Sequence, residues 1–180
     1  MKRQKMLLPF RDKTIVETVI ENMTRAVNES YVVVLGSHRE EIIKKIGNPE
    51  LNFCVNENYK DGMLTSVICG IRALPEDAAA VLVVLGDQPQ ISGDVAKLVI
   101  KKWKENKKGI VIPTFKGKRG HPALFGNKYF REIEKLDHEQ GLRAILRMFK
   151  HDVLEVECDF SEILRDIDTP EEYRLETGKI

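Results

Sequence analysis

At 180 residues, 42% of them hydrophobic, the chain is long enough for one ordinary core and short for two, so a single domain over residues 1–180 is expected. Lysine plus arginine number 29 against 28 acids, a formal net charge of +1 that excludes the overall basic field of a nucleic-acid or anionic-membrane binder and leaves only local basic sites. No apolar run of about 20 residues is present, and the N-terminal residues pass at once to the short stretch Met6-Leu7-Leu8-Pro9-Phe10; neither a membrane span nor a signal peptide is predicted, and a cytoplasmic protein is expected.

In chain order, Thr14-Ile15-Val16-Glu17 offers a capping box, and Ile15, Val16, Val19, Ile20 and Met23 follow at helical spacing, which predicts a helix. Tyr31-Val32-Val33-Val34-Leu35, closed by Gly36, is a continuous apolar run of the kind that forms a strand buried on both faces. A helix over 39–46, a strand over 52–55 and a helix over 65–74 lead to a second such run, Val81-Leu82-Val83-Val84-Leu85, closed by Gly86. Beyond it come a helix over 93–104, strands over 110–112 and 122–125, helices over 128–136 and 141–149, a strand over 153–156 and a helix over 170–176 with Pro170 at its first position. His138-Glu139-Gln140 reads as a solvated helix junction. The cysteines Cys54, Cys69 and Cys158 lie far apart among apolar neighbours, so buried reduced thiols are predicted rather than a zinc site or a disulfide framework.

Strands alternating with helices predict an α/β fold in which helices cover the faces of a largely parallel sheet. Ligands bind such sheets beyond the carboxyl ends of the strands, so chemistry is sought there. Four stretches qualify. Leu85-Gly86-Asp87-Gln88-Pro89 places a carboxylate directly behind the most apolar strand, suited to a hard cation such as Mg²⁺, although Gly-Asp before Pro is also ordinary turn chemistry. In Arg165-Asp166-Ile167-Asp168-Thr169-Pro170-Glu171, Asp168 is a second candidate metal ligand, or else it or Thr169 caps the helix that Pro170 opens. Arg119-Gly120-His121-Pro122, preceded by Lys116-Gly117-Lys118, is a basic turn where an anionic substrate would be at home, or a solvated hairpin. Asp61-Gly62-Met63-Leu64-Thr65-Ser66 is a glycine turn into a helix whose first amides and hydroxyls suit a nucleotide, or plain capping by Thr65 or Ser66.

Together, and in this order, these stretches resemble the MobA-like NTP transferase domain family, in particular its molybdopterin cytidylyltransferase branch. Lys5-Met6-Leu7-Leu8-Pro9-Phe10, Asn58 with Gly62-Met63, Ser66 and Gly70, the LGDQP and GHP stretches, Gly141-Leu142-Arg143 and Asp166-Ile167-Asp168-Thr169-Pro170-Glu171 carry the resemblance across the chain. The resemblance implies a Rossmann-like three-layer αβα sandwich and Mg²⁺-dependent transfer of a nucleoside monophosphate from CTP or GTP to a molybdopterin-type phosphorylated acceptor, with release of pyrophosphate. It assigns Asp87 and Asp168 to the metal and Lys5 to the triphosphate. Gly62, Ser66 and Gly86 fall on the nucleotide side, and Gln88, Gly120 and His121 on the acceptor side. A molybdenum oxidoreductase is an implied partner, and a sugar-1-phosphate nucleotidyltransferase shares the same sheet and metal logic.

Family members open with a strand and a glycine-rich loop of the form LAAGxSxRMGxxK, of which only the final lysine has a counterpart here, Lys5. The expected consequence is a sheet lacking its first strand, with neighbouring strand edges unpaired and self-association through them favoured. A chain of this kind is the later part of an enzyme, a binding or delivery module for the pterin cofactor or its target oxidoreductase, or an enzyme completed by a partner's strand.

Overall fold

The computed structural model describes residues 4–27, 30–137 and 139–178; His138, in the expected helix junction, lies outside them. Thr14 opens helix α1 (Ile15–Ala26) with the expected capping box: the Glu17 amide donates to the Thr14 hydroxyl at 3.4 Å, and the Thr14 amide donates to the Glu17 carboxylate at 2.8 Å. Both amides belong to a helix start, where no backbone acceptor is available. Ahead of α1, β1 (Pro9–Phe10) and β2 (Lys13–Thr14) form an antiparallel hairpin turned by Arg11 in the left-handed region. Strands this short carry no period-2 pattern, so the hairpin is invisible to a periodicity reading.

The first apolar run becomes β3 (Val32–Leu35), followed by α2 (Arg39–Ile46) and β4 (Asn52–Val55), and β4 pairs in parallel with β3. One face of this pair is covered by α1 and α2, through Val16, Leu35, Ile42 and Phe53. The other face is covered by α3 (Met63–Arg72), which can lie close because Gly70 stands where a Cβ would be 3.1 Å from a Val34 methyl. This approach also brings Cys54 of β4 and Cys69 of α3 to a Cα separation of 6.8 Å, and the two are joined as a disulfide. The expectation of reduced thiols therefore holds for Cys158, which is free and buried, and is corrected for Cys54 and Cys69. Their separation of 15 residues carries no signal until strand and helix are packed face to face.

The second apolar run becomes β5 (Ala80–Val83). After α4 (Gly93–Glu105) the chain enters β6 (Ile110–Phe115) and reverses at Lys116-Gly117, whose φ angles of 50° and 72° are those of a two-residue hairpin turn. The remaining elements are β7 (Lys118–Arg119), β8 (Ala123–Gly126), α5 (Phe130–Glu134), α6 (Arg143–Met148), β9 (Val153–Glu157) and α7 (Pro170–Thr177). β8 runs antiparallel between β5 and β6, while β9 pairs in parallel with β6, so β5, β6 and β9 share one direction. Alternate residues of these strands face opposite layers. Val81, Val83, Ile110, Ile112, Ala123 and Phe125 pack with α3, α5 and α6, and Ala80, Leu82, Val111, Leu124 and Val156 pack with α4. The result is the three-layer αβα arrangement.

β6 and β8 are buried along almost their whole length, but β3 and β5, the two runs expected to be buried on both faces, are mostly half-buried. Among the described residues β3 pairs only with β4 and β5 only with β8, so each keeps one edge without a strand partner. Both runs carry apolar residues on both faces, and their open edges account for the incomplete burial.

Thr14→Ala removes the acceptor for the Glu17 amide and the anchor of the Glu17 carboxylate, and is expected to cost about 1 kcal/mol. Thermal unfolding should register this as a fall of about 2–4 °C in Tm. An unchanged Tm would show that the capping box does not support α1.

Candidate active site

The site begins with an apolar residue between two acids. In Asp166-Ile167-Asp168, Ile167 is fully buried with Phe10 and Ile15, and Met6, Leu8 and Tyr173 pack around them. Burying Ile167 against the N-terminal hairpin turns its neighbours outward. Met6 also lies against Gly86, where a Cβ would stand 3.6 Å from the Met6 sulfur. One small cluster thus sets the N-terminal segment, the loop after β5 and the loop before α7 side by side.

Lys5 occupies the junction. Its Nζ donates to Asp87 Oδ2 at 2.8 Å and to Asp168 Oδ1 at 2.8 Å, across sequence separations of 82 and 163 residues. Burial alone would lower the Lys5 pKa, but hydrogen bonds and attraction from Asp168 and Asp87 outweigh it and hold the pKa above the ordinary lysine value. The two acids single out the same cation, and Lys5 is that cation here. Among the described residues no group of three His, Cys, Asp or Glu side chains is gathered, so a metal held by Asp87 and Asp168 would draw its other ligands from water or substrate.

The capping question raised by Asp168-Thr169-Pro170 has a definite answer. Thr169 is the cap of α7: its hydroxyl accepts the Glu172 amide at 3.1 Å, and the Glu172 carboxylate accepts the Thr169 and Asp168 amides at 2.7 and 2.9 Å. The Asp168 carboxylate is left for Lys5.

A second tie joins the same two loops. Gln88, buried in the turn after Asp87, donates its amide to Asp166 Oδ1 at 2.7 Å and to the Arg165 carbonyl at 3.1 Å; Gln90 donates to that carbonyl at 2.6 Å. Asp166 and Gln90 join the junction in addition to the residues expected from the sequence, and Gln88 is held here by protein partners. The one available signal was chemical: a second acid in the DIDTPE stretch facing an amide in LGDQP.

His121 packs beneath this junction. Its amide donates to the Ile163 carbonyl at 3.2 Å, and burial pushes its pKa below the ordinary histidine value, against the pull of the Val83 carbonyl and of the Asp166 and Asp87 carboxylates. The ring is therefore neutral near pH 7. Gly120 is required by packing, since a Cβ there would lie 2.4 Å from the Ile163 carbonyl oxygen. The basic turn beside them is partly neutralised, because Arg119 forks onto Glu155 at 2.5 and 2.8 Å.

Gly62 and Ser66 form a separate group at the carboxyl ends of β3 and β4. Gly62 adopts φ 105° and opens α3 with no side chain within 4 Å of where its Cβ would be. Buried Asn56, another residue missed in the sequence, organises this end: its amide donates to Thr65 Oγ1 at 2.8 Å and Ser66 Oγ at 3.0 Å, while its carbonyl accepts the Asn58 amide at 3.0 Å. Thr65 in turn donates to the Asn58 and Gly62 carbonyls. No hydrogen bond or ion pair among the described residues joins this group to Lys5, Asp87 and Asp168.

With that geometry in place, residues 1–155 match the sequence pattern of the MobA-like NTP transferase domain. The chain belongs to this family. The chain is 28% identical to the molybdenum cofactor cytidylyltransferase of Escherichia coli strain K12, over 96% of this chain and 86% of that protein. It is also 28% identical to a probable molybdenum cofactor guanylyltransferase of Methanosarcina mazei, over 79% of this chain and 64% of that protein. Among solved structures, Rv0371c from Mycobacterium tuberculosis H37Rv superimposes with a TM-score of 0.88 at 22% identity, covering 100% of this chain and 92% of that one. That likeness establishes the fold. Asp168 lies beyond the matched residues 1–155, so its place beside Lys5 and Asp87 is information the MobA-like match does not contain.

The Lys5 bridges have a defined pH signature. A lysine whose pKa is raised on folding stabilises the fold below its unfolded value of about 10.4, and that contribution is lost as pH rises through the folded value. Because Asp168 is 65% exposed, the increment is discounted to about 1 kcal/mol. Denaturant unfolding should show Lys5→Met less stable than the unsubstituted chain by that amount at pH 8, with the gap narrowing as pH passes above the lysine range. A gap that persists unchanged at high pH would refute an electrostatic origin.

Proposed function

We propose that this chain is a nucleotidyltransferase that moves a nucleoside monophosphate from CTP or GTP to a molybdopterin-type phosphorylated acceptor and releases pyrophosphate. The observation that carries this reading is the convergence of Asp87 and Asp168 on one cationic atom at the carboxyl end of β5. Membership of the MobA-like family, with molybdenum cofactor cytidylyl- and guanylyltransferases among the relatives, supports the reaction class and leaves the choice of base open.

The donor set fits Mg²⁺, which commonly takes one or two protein carboxylates and completes its shell with phosphate oxygens and water. Bound by Asp87 and Asp168, Mg²⁺ would neutralise triphosphate charge. The chain's own residues would do the rest by placement. Lys5, a mobile point charge, would leave the carboxylates for the phosphates. Gly62 and the Ser66 region would receive the base, and Gln88 and His121 would border the acceptor. An acceptor phosphate oxygen attacks the α-phosphorus, the bond from that phosphorus to the bridging oxygen breaks, and the electron pair leaves with pyrophosphate.

The test is pyrophosphate release with CTP and with GTP, in the presence of Mg²⁺ and a molybdopterin acceptor. Release is expected to require both Mg²⁺ and acceptor, and Asp87→Ala should reduce it on the order of 10²-fold or more while the circular dichroism spectrum is retained. A folded chain that releases no pyrophosphate with either nucleotide overturns the proposal. Release driven by a sugar 1-phosphate and not by the pterin overturns the acceptor assignment.

A further inference from the structure

The turn Gln88-Pro89-Gln90-Ile91 follows Asp87 directly, and Gln88, Pro89 and Ile91 are buried. A buried turn cannot leave its carbonyls to water, so they need donors from the protein. Within it, the Ile91 amide donates to the Gln88 carbonyl at 3.2 Å. The carbonyls of Pro89 and Ile91 are both served from outside by one side chain. Asn22 Nδ2 donates to the Pro89 carbonyl at 3.0 Å and to the Ile91 carbonyl at 2.9 Å, across sequence separations of 67 and 69 residues. A primary amide has two N–H bonds, and this one meets two carbonyls of the same turn.

Asn22 lies on α1, two helical turns after Ile15 and on the same face, about 10 Å further along the axis. Ile15 is buried with Phe10 and Ile167 in the cluster that brings the Lys5 and Asp168 segments together. One face of α1 therefore holds those two segments at its start and the turn after Asp87 two turns later. The second contact is close along the backbone as well. At Gly93, the first residue of α4, a Cβ would stand 2.2 Å from the Ala26 Cβ and 2.6 Å from the Asn22 carbonyl oxygen. Met23, beside Asn22, packs with Ile91, Val95 and Ile163.

We infer that Asn22 is a positioning residue for the carboxylate pair: by tying the turn after Asp87 to α1, it holds the Asp87 carboxylate in register with Lys5 and Asp168. The same turn is tied on its other side by Gln88 and Gln90 to Arg165 and Asp166, in the segment that carries Asp168. Without the α1 tie, that turn keeps its place relative to Asp168 and loses it relative to the N-terminal segment that carries Lys5. Groups that orient a metal ligand commonly set metal affinity over about 10–100-fold. The effect on a metal rests on the reading of Asp87 and Asp168 as its ligands; the fixing of the turn does not.

Asn22→Asp keeps the size of the side chain and replaces the donating amide with an oxygen that repels both carbonyls; Asn22→Ala removes the amide outright. In both, hydrogen exchange read by mass spectrometry should quicken about tenfold over residues 86–92 and stay unchanged in α5 and α6, which pack in the cluster with α3. Mn²⁺ binding, read by electron paramagnetic resonance without nucleotide, should weaken about tenfold. In Asn22→Asp it should weaken even though the added negative charge by itself favours a cation. Asp87→Asn is the reference and should weaken Mn²⁺ binding at least as much. Exchange that is unchanged over 86–92, or that quickens evenly through the chain, overturns the inference. So does Mn²⁺ affinity that both Asn22 variants leave intact and Asp87→Asn lowers. Mn²⁺ binding indifferent to Asp87→Asn overturns instead the metal reading of the carboxylates, and the exchange measurement then decides the inference alone.

Discussion

The rest of the site depends on one ammonium group shared by two carboxylates. Asp87 and Asp168 meet on Lys5, whose Nζ stands 2.8 Å from each. Two acids brought together without a counter-charge repel, and partial burial would strengthen that repulsion. Nothing local imposes the meeting. It is imposed by Ile167, Phe10 and Ile15, whose common burial fixes the N-terminal hairpin against the segment before α7, and by the packing of Met6 on Gly86. Charge placement at the surface is here a consequence of hydrophobic packing one residue away.

The two long-range polar ties between these loops differ in character. The Gln88 to Asp166 bond lies at the buried side and uses an uncharged donor, and it holds the two loops in register. The Lys5 bridges lie at the more exposed side and can exchange partners at lower cost, since Asp168 is largely in water. A rigid tie behind a labile one is the arrangement that lets a cationic side chain turn to an arriving anion without loosening the loops that carry the acids.

Much of this was legible in sequence, for reasons that differ by residue. The capping boxes at Thr14 and Thr169 are local, needing only a hydroxyl and a carboxylate three residues apart, and both are present. The apolar runs located β3 and β5, but their burial depends on what pairs with each edge, which no run of valines encodes. In DIDTPE, alternation left open whether Asp168 or Thr169 was the cap; the structure resolves it because the threonine hydroxyl reaches the Glu172 amide. Asn56 and the Cys54–Cys69 pair were illegible because their partners are supplied by α3 packing on β4. Gly120 reads in sequence as part of a basic ligand turn, and the close approach of the Ile163 carbonyl, which also requires a glycine there, is a long-range contact that the turn's own residues do not encode.

The electrostatics of the mouth also constrain any anionic ligand. Asp87, Asp168 and Lys5 together carry a net charge of −1, and Asp166 lies just behind them. A triphosphate brought to that mouth would meet repulsion that Lys5 alone cannot reverse, because its charge is already committed to the two acids. With a divalent cation on the same carboxylates, the net charge becomes +1 and Lys5 is released toward the phosphates. On the proposed reading the lysine and the metal are therefore complementary: the ammonium keeps the acids together when no nucleotide is present, and yields its place when one arrives with its counterion.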